Sequence, residues 1–203
     1  HVDSSAASDV YKRQAQERIE PMAESIDREH RIPKDVIDEL GQLGFMGMMA
    51  GEEFGGSGLE TLDYITALEE VSVACASTAV VMSVNNSLVL HPLSQFGTRE
   101  QKEKHIPALA SGRKIGCYCL SEPGSGSDAA AMKTRAEKKG DKWILNGVKN
   151  FITNGKEAEL AVVYVNVAPE KKHKGVACFL VESSAPGYSL SLIHISEPTR
   201  RLN

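Results

Sequence analysis

The sequence lacks the features that would place it in several large functional classes. Lysine and arginine total 23 against 27 acidic residues, a formal net charge of −4. With basic residues neither in excess nor clustered, nucleic-acid binding is not indicated. Neutral stretches such as Ala79 to Leu90 fall short of the roughly 18 apolar residues that a membrane span needs. The four cysteines, Cys75, Cys117, Cys119 and Cys178, match no zinc spacing. Cys117 and Cys119 lie two apart in a strand-like run, so they share a face and read as free, buried thiols. Free thiols fit a reducing, intracellular setting. Asn85-Asn86-Ser87 matches a glycosylation sequon, but an apolar helical stretch has no room for a glycan. There is no Walker Gly-Lys-Ser/Thr, no Rossmann G-x-G-x-x-G and no internal repeat. What remains is an ordinary globular composition, 41% apolar and 25% charged.

Both ends read as foreign to the rest. Residues 1–14, HVDSSAASDVYKRQ, show no helical or strand period and no link to the helical pattern that begins at Ala15. Residues 191–203, ending ISEPTRRLN, interrupt a strand-rich region without a stop signal. Both resemble translated sequencing-adapter text, and the expectation is a native chain from about Ala15 to about Leu190 with both true termini lost.

Between these ends the periodicity changes once. Residues 15–112 have a helical period and predict an all-α domain of four or five helices. Pro33 suits a first turn, with Val36, Leu40 and Leu43 on one face and Gly44 as a stop. Leu62, Ile65, Leu68, Val71 and Cys75 form the next stripe. The segment from Val80 to Leu90 is apolar nearly all round and predicts a buried central helix. Thr98 with Gln101 makes a capping box before the charged helix through Leu109. Residues 113–190 predict a second domain of six short strands: 115–120, 132–138, 142–145, 148–152, 160–167 and 175–181. Turn signals such as Asn146-Gly147 and Asn154-Gly155 separate them. The expected fold class is therefore α+β, a helical bundle followed by a small antiparallel β-barrel or sandwich.

One stretch carries chemistry. Cys117-Tyr118-Cys119-Leu120-Ser121-Glu122-Pro123-Gly124-Ser125-Gly126-Ser127-Asp128 runs from a strand into a loop of glycines and hydroxyls. Glycines let backbone approach a ligand closely, and successive N–H groups can nest an anion, so the loop suits a phosphate or a flavin ring. Read alone, such a loop is more often only a surface turn. The string from Cys119 to Asp128 resembles the acyl-CoA dehydrogenase signature at every position. Val148-Lys149-Asn150-Phe151-Ile152-Thr153-Asn154-Gly155 is similar to that family's second flavin segment. Glu53-Phe54-Gly55-Gly56-Ser57-Gly58 and Phe96-Gly97-Thr98-Arg99-Glu100-Gln101-Lys102 resemble two further family segments, and the likeness is greatest to the short-chain, butyryl-type branch.

The resemblance implies an FAD enzyme that dehydrogenates a short-chain acyl-CoA to the trans-2-enoyl-CoA. The hydride would go to flavin N5 and the electrons to an electron-transferring flavoprotein. It implies FAD contacts at Tyr118, Leu120 and Ser121, phosphate contacts at Gly126 and Ser127, and flavin packing by Phe151, followed by Ile152. The Thr153 hydroxyl is implied at N5, and Ser127 also at the CoA portion of the substrate. Phe151 stands where many relatives have Trp, so an indole N–H contact is not implied. The family's fold adds a C-terminal four-helix domain, and the resemblance places the catalytic glutamate there, beyond this chain. It also implies a homotetramer for the whole protein and no turnover by these 203 residues alone. An acyl-CoA oxidase or flavin monooxygenase on the same scaffold, or a non-enzymatic scaffold protein, are the competing readings.

Overall fold

The computed structural model describes residues 4–191. The expectation for residues 191–203 thus lies outside the described residues, apart from Ser191. Residues 4–14, expected to be aperiodic, form a helix, α1 (Ser4–Gln14), which packs on α4 (Thr61–Ala74). The ring of Tyr11 meets Phe45 edge-on at 5.6 Å, and Ser8 Oγ donates to Glu70 at 3.2 Å. Only Val10 and Tyr11 supply large apolar surface in this helix, too few to set a period.

The helical half continues with a π-helical turn at Ala15–Ile19, α2 (Ala23–Glu29) and α3 (Lys34–Gln42). After α4 come α5 (Ala76–Ser83), a π-helical stretch at Val84–Leu90, α6 (His91–Phe96) and α7 (Arg99–Ala110). Thr98 and Gln101 form the expected capping box at the start of α7, with Gln101 N–H donating to Thr98 Oγ1 at 3.2 Å. Gly44, at φ 80°, turns the chain after α3, where a glycine stop was expected.

Two helical faces differ from expectation. The buried side of α4 is Tyr64, Ala67, Val71 and Ala74, whereas Leu62 is 72% exposed and Ile65 is also exposed. This helix is apolar on more than one side, so spacing alone does not choose the inner one. The stretch from Val80 to Leu90 is not buried all round either: Val80 and Leu88 are exposed, while Met82, Val89 and Leu90 are core.

Five strands follow: β1 (Gly116–Cys119), β2 (Arg135–Lys139), β3 (Lys142–Asn146), β4 (Leu160–Asn166) and β5 (Val176–Glu182). They form one sheet in the order β1-β4-β2-β3, with β5 on the far side of β4. The sheet is mixed, not antiparallel throughout. β1 runs parallel to β4, which pairs antiparallel along its whole length with β5. The sixth expected strand, Val148 to Ile152, is not one. Phe151 there has φ 58°, which no strand accommodates.

Alternation along β1 and β4 divides the core. Leu160 and Val162, with Tyr118 and Tyr164, pack against Val89, Leu90, Ile106 and Leu109, so the sheet and the helices share one cluster. Cys117, Cys119 and Ala161 face the other way, toward Ile152. The first strand leaves this doubly covered position and runs directly into the glycine-rich loop.

Candidate functional site

The loop after β1 is built around one buried carboxylate. Glu122 accepts from the backbone N–H groups of Lys133 (2.6 Å) and Thr134 (3.0 Å) and from Lys149 Nζ at 2.8 Å. The Lys149 and Glu122 side chains are only 9% and 5% exposed. Burial by itself would raise the Glu122 pKa; hydrogen bonds from Lys149 and from those N–H groups outweigh it and bring the carboxyl down to about 2. Glu122 is therefore a fixed anion and has no proton to exchange near neutral pH.

Lys149 also donates to the carbonyl of Leu120 at 2.9 Å, and the N–H of Asn150 donates to the carbonyl of Ser121 at 2.8 Å. These bonds lock the two sequence segments, 120–122 and 149–150, side by side. The second flavin segment contains Lys149 and Asn150, but sequence reasoning gave neither a task. A lysine inside an apolar alternating run, with a glutamate in the neighbouring motif, was the available signal.

The signature residues divide by what they touch. Glu122 and Ser125 exchange backbone hydrogen bonds, Ser125 Oγ donates to the Asp128 carbonyl, and Asp128 Oδ1 accepts from the N–H of Ala130. These three hold the loop's shape. Gly126 and Ser127 stand exposed at the tip. A methyl group on Gly124 or Gly126 would meet nothing within 4 Å, and neither glycine has a positive φ. Packing and conformation thus give no internal reason for either glycine. Open backbone of this kind fits a ligand that must come close.

Leu120 and Ser121 are half-buried where β1 ends. The Tyr118 ring lies against the helix–sheet cluster, 5.1 Å from the ring of Tyr164. On the second segment, Ile152 is half-buried against Cys117 and Cys119, and Thr153 lines a cavity of about 310 Å³ shared with Ile26, Ser77 and Val81. Phe151 is 86% exposed and sits at φ 58°. A bulky residue in the left-handed region costs on the order of 1–3 kcal/mol, and such strain collects at ligand sites. Here it holds an aromatic ring in the open with no core to fill. Exposed glycines, hydroxyls and a strained aromatic fit a large planar ligand with an anionic tail.

Two asparagines, noted in the sequence only as part of a discounted sequon, brace the site from behind. Asn85 Nδ2 donates to the carbonyls of Met46 and Leu109, and its Oδ1 accepts from the N–H of Gly116, the first residue of β1. Asn86 bonds the carbonyls of Phe45 and Met82 and the N–H of Met48. Both are fully buried, which also closes the sequon to a glycan. The Asn86 amide is committed to these protein partners.

Comparison with known proteins agrees with this geometry. The acyl-CoA dehydrogenase N-terminal domain matches residues 3–113 and the acyl-CoA dehydrogenase middle domain residues 117–201. The mitochondrial short-chain specific acyl-CoA dehydrogenase of Mus musculus is 47% identical over 176 residues, covering 87% of this chain and 43% of the mouse protein. A solved structure of glutaryl-CoA dehydrogenase from Mycobacterium smegmatis in complex with FADH2 superposes with a TM-score of 0.88 at 32% identity. It covers 96% of this chain and 49% of that one. A chain in a structure described for the electron transferring flavoprotein of Acidaminococcus fermentans superposes at TM-score 0.88 and 40% identity, over 92% of this chain and 49% of that one. The chain thus spans about half the length of the relatives it matches. It belongs to the acyl-CoA dehydrogenase family, whose N-terminal and middle domains it carries.

Proposed function

We propose that this chain forms the flavin-cradling part of an FAD-dependent acyl-CoA dehydrogenase acting on short-chain acyl-CoA thioesters. The observation that carries the reading is the locked pair of segments, 120–122 with 149–150, which brings the two stretches that hold Ser121, Gly126 and Ser127, and Phe151 and Thr153, side by side. The division into a helical domain over 15–112 and a β domain over 113–190 belongs to the same proposal.

FAD, when bound, supplies the hydride acceptor. The chain's own residues orient it. Ser121 and Thr153 would offer hydroxyls to the flavin, Thr153 as the donor toward N5, a contact that would favour hydride acceptance there. Phe151 would cover the flavin and Leu120 would lie beside it, while Tyr118 and Ile152, whose side chains pack on opposite faces of the sheet, would contact it through their backbone. Gly126 and Ser127 leave backbone N–H groups open to the phosphates, and Ser127 adds a contact to the CoA portion. Glu122 does not serve as the base that takes the α-proton, because its carboxyl is held ionised by three donors. The resemblance assigns that role to a glutamate outside these residues. Loss of a general base costs about two to four orders of magnitude.

The short-chain substrate rests on the mouse relative, whose name specifies it. An electron-transferring flavoprotein as acceptor rests on the Acidaminococcus fermentans structure. The tetrameric assembly and the compartment, mitochondrial matrix or bacterial cytoplasm, belong to the same reading. Butyryl-CoA assayed with an electron-transferring flavoprotein tests the reaction. The 203 residues alone are expected to give no turnover, and an extended product that supplies the base is expected to reduce the flavoprotein. Peroxide release in place of that reduction would assign an oxidase. Turnover by the 203 residues would place the base within them and overturn the assignment.

A further inference from the structure

The second flavin segment is pinned to the β1 stretch at both ends. At its start, Lys149 Nζ donates to the Leu120 carbonyl and the Asn150 N–H to the Ser121 carbonyl. At its far end, Asn154 Nδ2 donates to the carbonyl of Gly116 at 3.1 Å. Residues 149–150 thus lie beside 120–121 and residue 154 beside 116, so the segment is ordered antiparallel to β1. This strand stands at one end of the sheet order, where backbone groups need partners other than a neighbouring strand. Phe151, left-handed at φ 58°, interrupts the pairing, and residues 151–153 span the gap between the two pins.

The far pin is tied in several directions. Asn154 is third in the turn 152–155, which the Gly155 N–H closes onto the Ile152 carbonyl at 3.0 Å. Its φ of 64° is one that asparagine tolerates. Its own carbonyl accepts from the N–H groups of Glu157 and Ala158. The residue it grips is itself fixed. The Gly116 N–H donates to Asn85 Oδ1 at 3.1 Å, and Asn85 also holds the Met46 and Leu109 carbonyls of the helical half. Asparagine side chains therefore take both polar groups of Gly116. The path Asn85–Gly116–Asn154 runs from the helical core to the residue that follows Thr153.

We infer that Asn154 is a positioning residue: by holding the Gly116 carbonyl, it sets the Thr153 hydroxyl at a fixed place relative to β1 and Ser121. The inference rests on the flavin reading of Thr153 given above. A hydroxyl bonds only within about 3 Å of its acceptor, so a turn released from Gly116 gives up that bond while the fold stays intact. The Lys149 pin does not replace it, because it holds the other end of the segment.

The test compares FAD with 5-deaza-FAD, whose ring carries C–H in place of N5 and so offers Thr153 no acceptor. Titrated into the 203-residue chain, FAD is expected to bind about fivefold more tightly than the analogue, the size of one hydrogen bond. Asn154→Gly removes the amide and keeps the turn, because glycine adopts the same φ without penalty. It is expected to lose the preference while binding 5-deaza-FAD as the parent does, and Thr153→Val is expected to lose it likewise. If Asn154→Gly keeps the parent's preference, the inference is overturned. A parent that does not distinguish the two flavins overturns the flavin reading of Thr153 instead, and hydrogen exchange of the ligand-free chain then decides on the pin. Faster exchange in Asn154→Gly at Gly155, Glu157 and Ala158, with Asn150 unchanged, supports it. Unchanged exchange at all four sinks it.

Discussion

Replacing Lys149 by Met removes the ammonium group that joins the two segments of the site and keeps most of the apolar stem. Glu122 then remains buried with its two backbone donors but without its cation. Breaking a buried ion pair from one side costs about 3–5 kcal/mol. The net displacement of the Glu122 carboxyl from 4.5 to about 2, roughly 3 kcal/mol of preference for the charged form, is shared by Lys149 with donors at Lys133 and Thr134 that the variant keeps. We expect Lys149→Met to lose about 3 kcal/mol in urea unfolding at pH 7, a fall in Tm of about 6–12 °C for a chain of this size. The pH dependence has a definite sign. A depressed carboxyl stabilises the fold fully above its unfolded pKa and loses that contribution as pH falls through its folded pKa. The gap between parent and variant should therefore be constant above pH 5 and shrink between about 4.5 and 2. Adding Glu122→Gln to Lys149→Met should recover part of the loss, because no uncompensated charge is left. A loss below about 1 kcal/mol, or a gap that does not change on acidification, would refute the claim that this pair locks the site.

Four further outcomes rest on named residues. Asn85→Ala takes the Asn85 partner from the Gly116 N–H and the Met46 carbonyl and one of the donors from the Leu109 carbonyl, which keeps the Gly112 N–H, and should cost on the order of 3 kcal/mol by chemical denaturation. Gly116→Ala places a methyl 2.5 Å from the buried Val89 side chain and should destabilise by about 1–3 kcal/mol, whereas Gly126→Ala, with open space around it, should leave unfolding unchanged and weaken FAD binding. Phe151→Asn relieves the left-handed strain and should stabilise the ligand-free chain by about 1 kcal/mol in thermal melts while lowering FAD affinity.

The legible parts of the sequence were those in which one local rule decides. The Thr98–Gln101 cap, the Gly44 stop, the change from helix to strand period and five of the six strands are of this kind. Where two faces compete, the pattern did not decide: α4 turns Tyr64, Ala67 and Val71 inward and leaves Leu62 outside. The segment from Val148 to Ile152 alternates like a strand, yet Lys149 spends its charge on Glu122, Asn150 bonds the Ser121 backbone, and Phe151 is left-handed. Those are long-range demands, invisible to a period of two. The mixed direction of the sheet is likewise a matter of how β1 and β4 meet across some forty residues of chain. In the site, the motif named the loop, but only the structure separates Glu122, Ser125 and Asp128, which shape it, from Gly126, Ser127, Phe151 and Thr153, which face outward. Asn85 and Asn86 lie in the apolar stretch that made a glycan implausible, and they are core; the partners that satisfy them come from distant segments that no local pattern names.

Hydrogen exchange of the 203-residue chain with and without saturating FAD tests the central claim most directly. The account predicts protection concentrated in residues 118–127 and 149–154, lost together in Lys149→Met. Protection elsewhere with these two segments unchanged, or no protection at all, would contradict it.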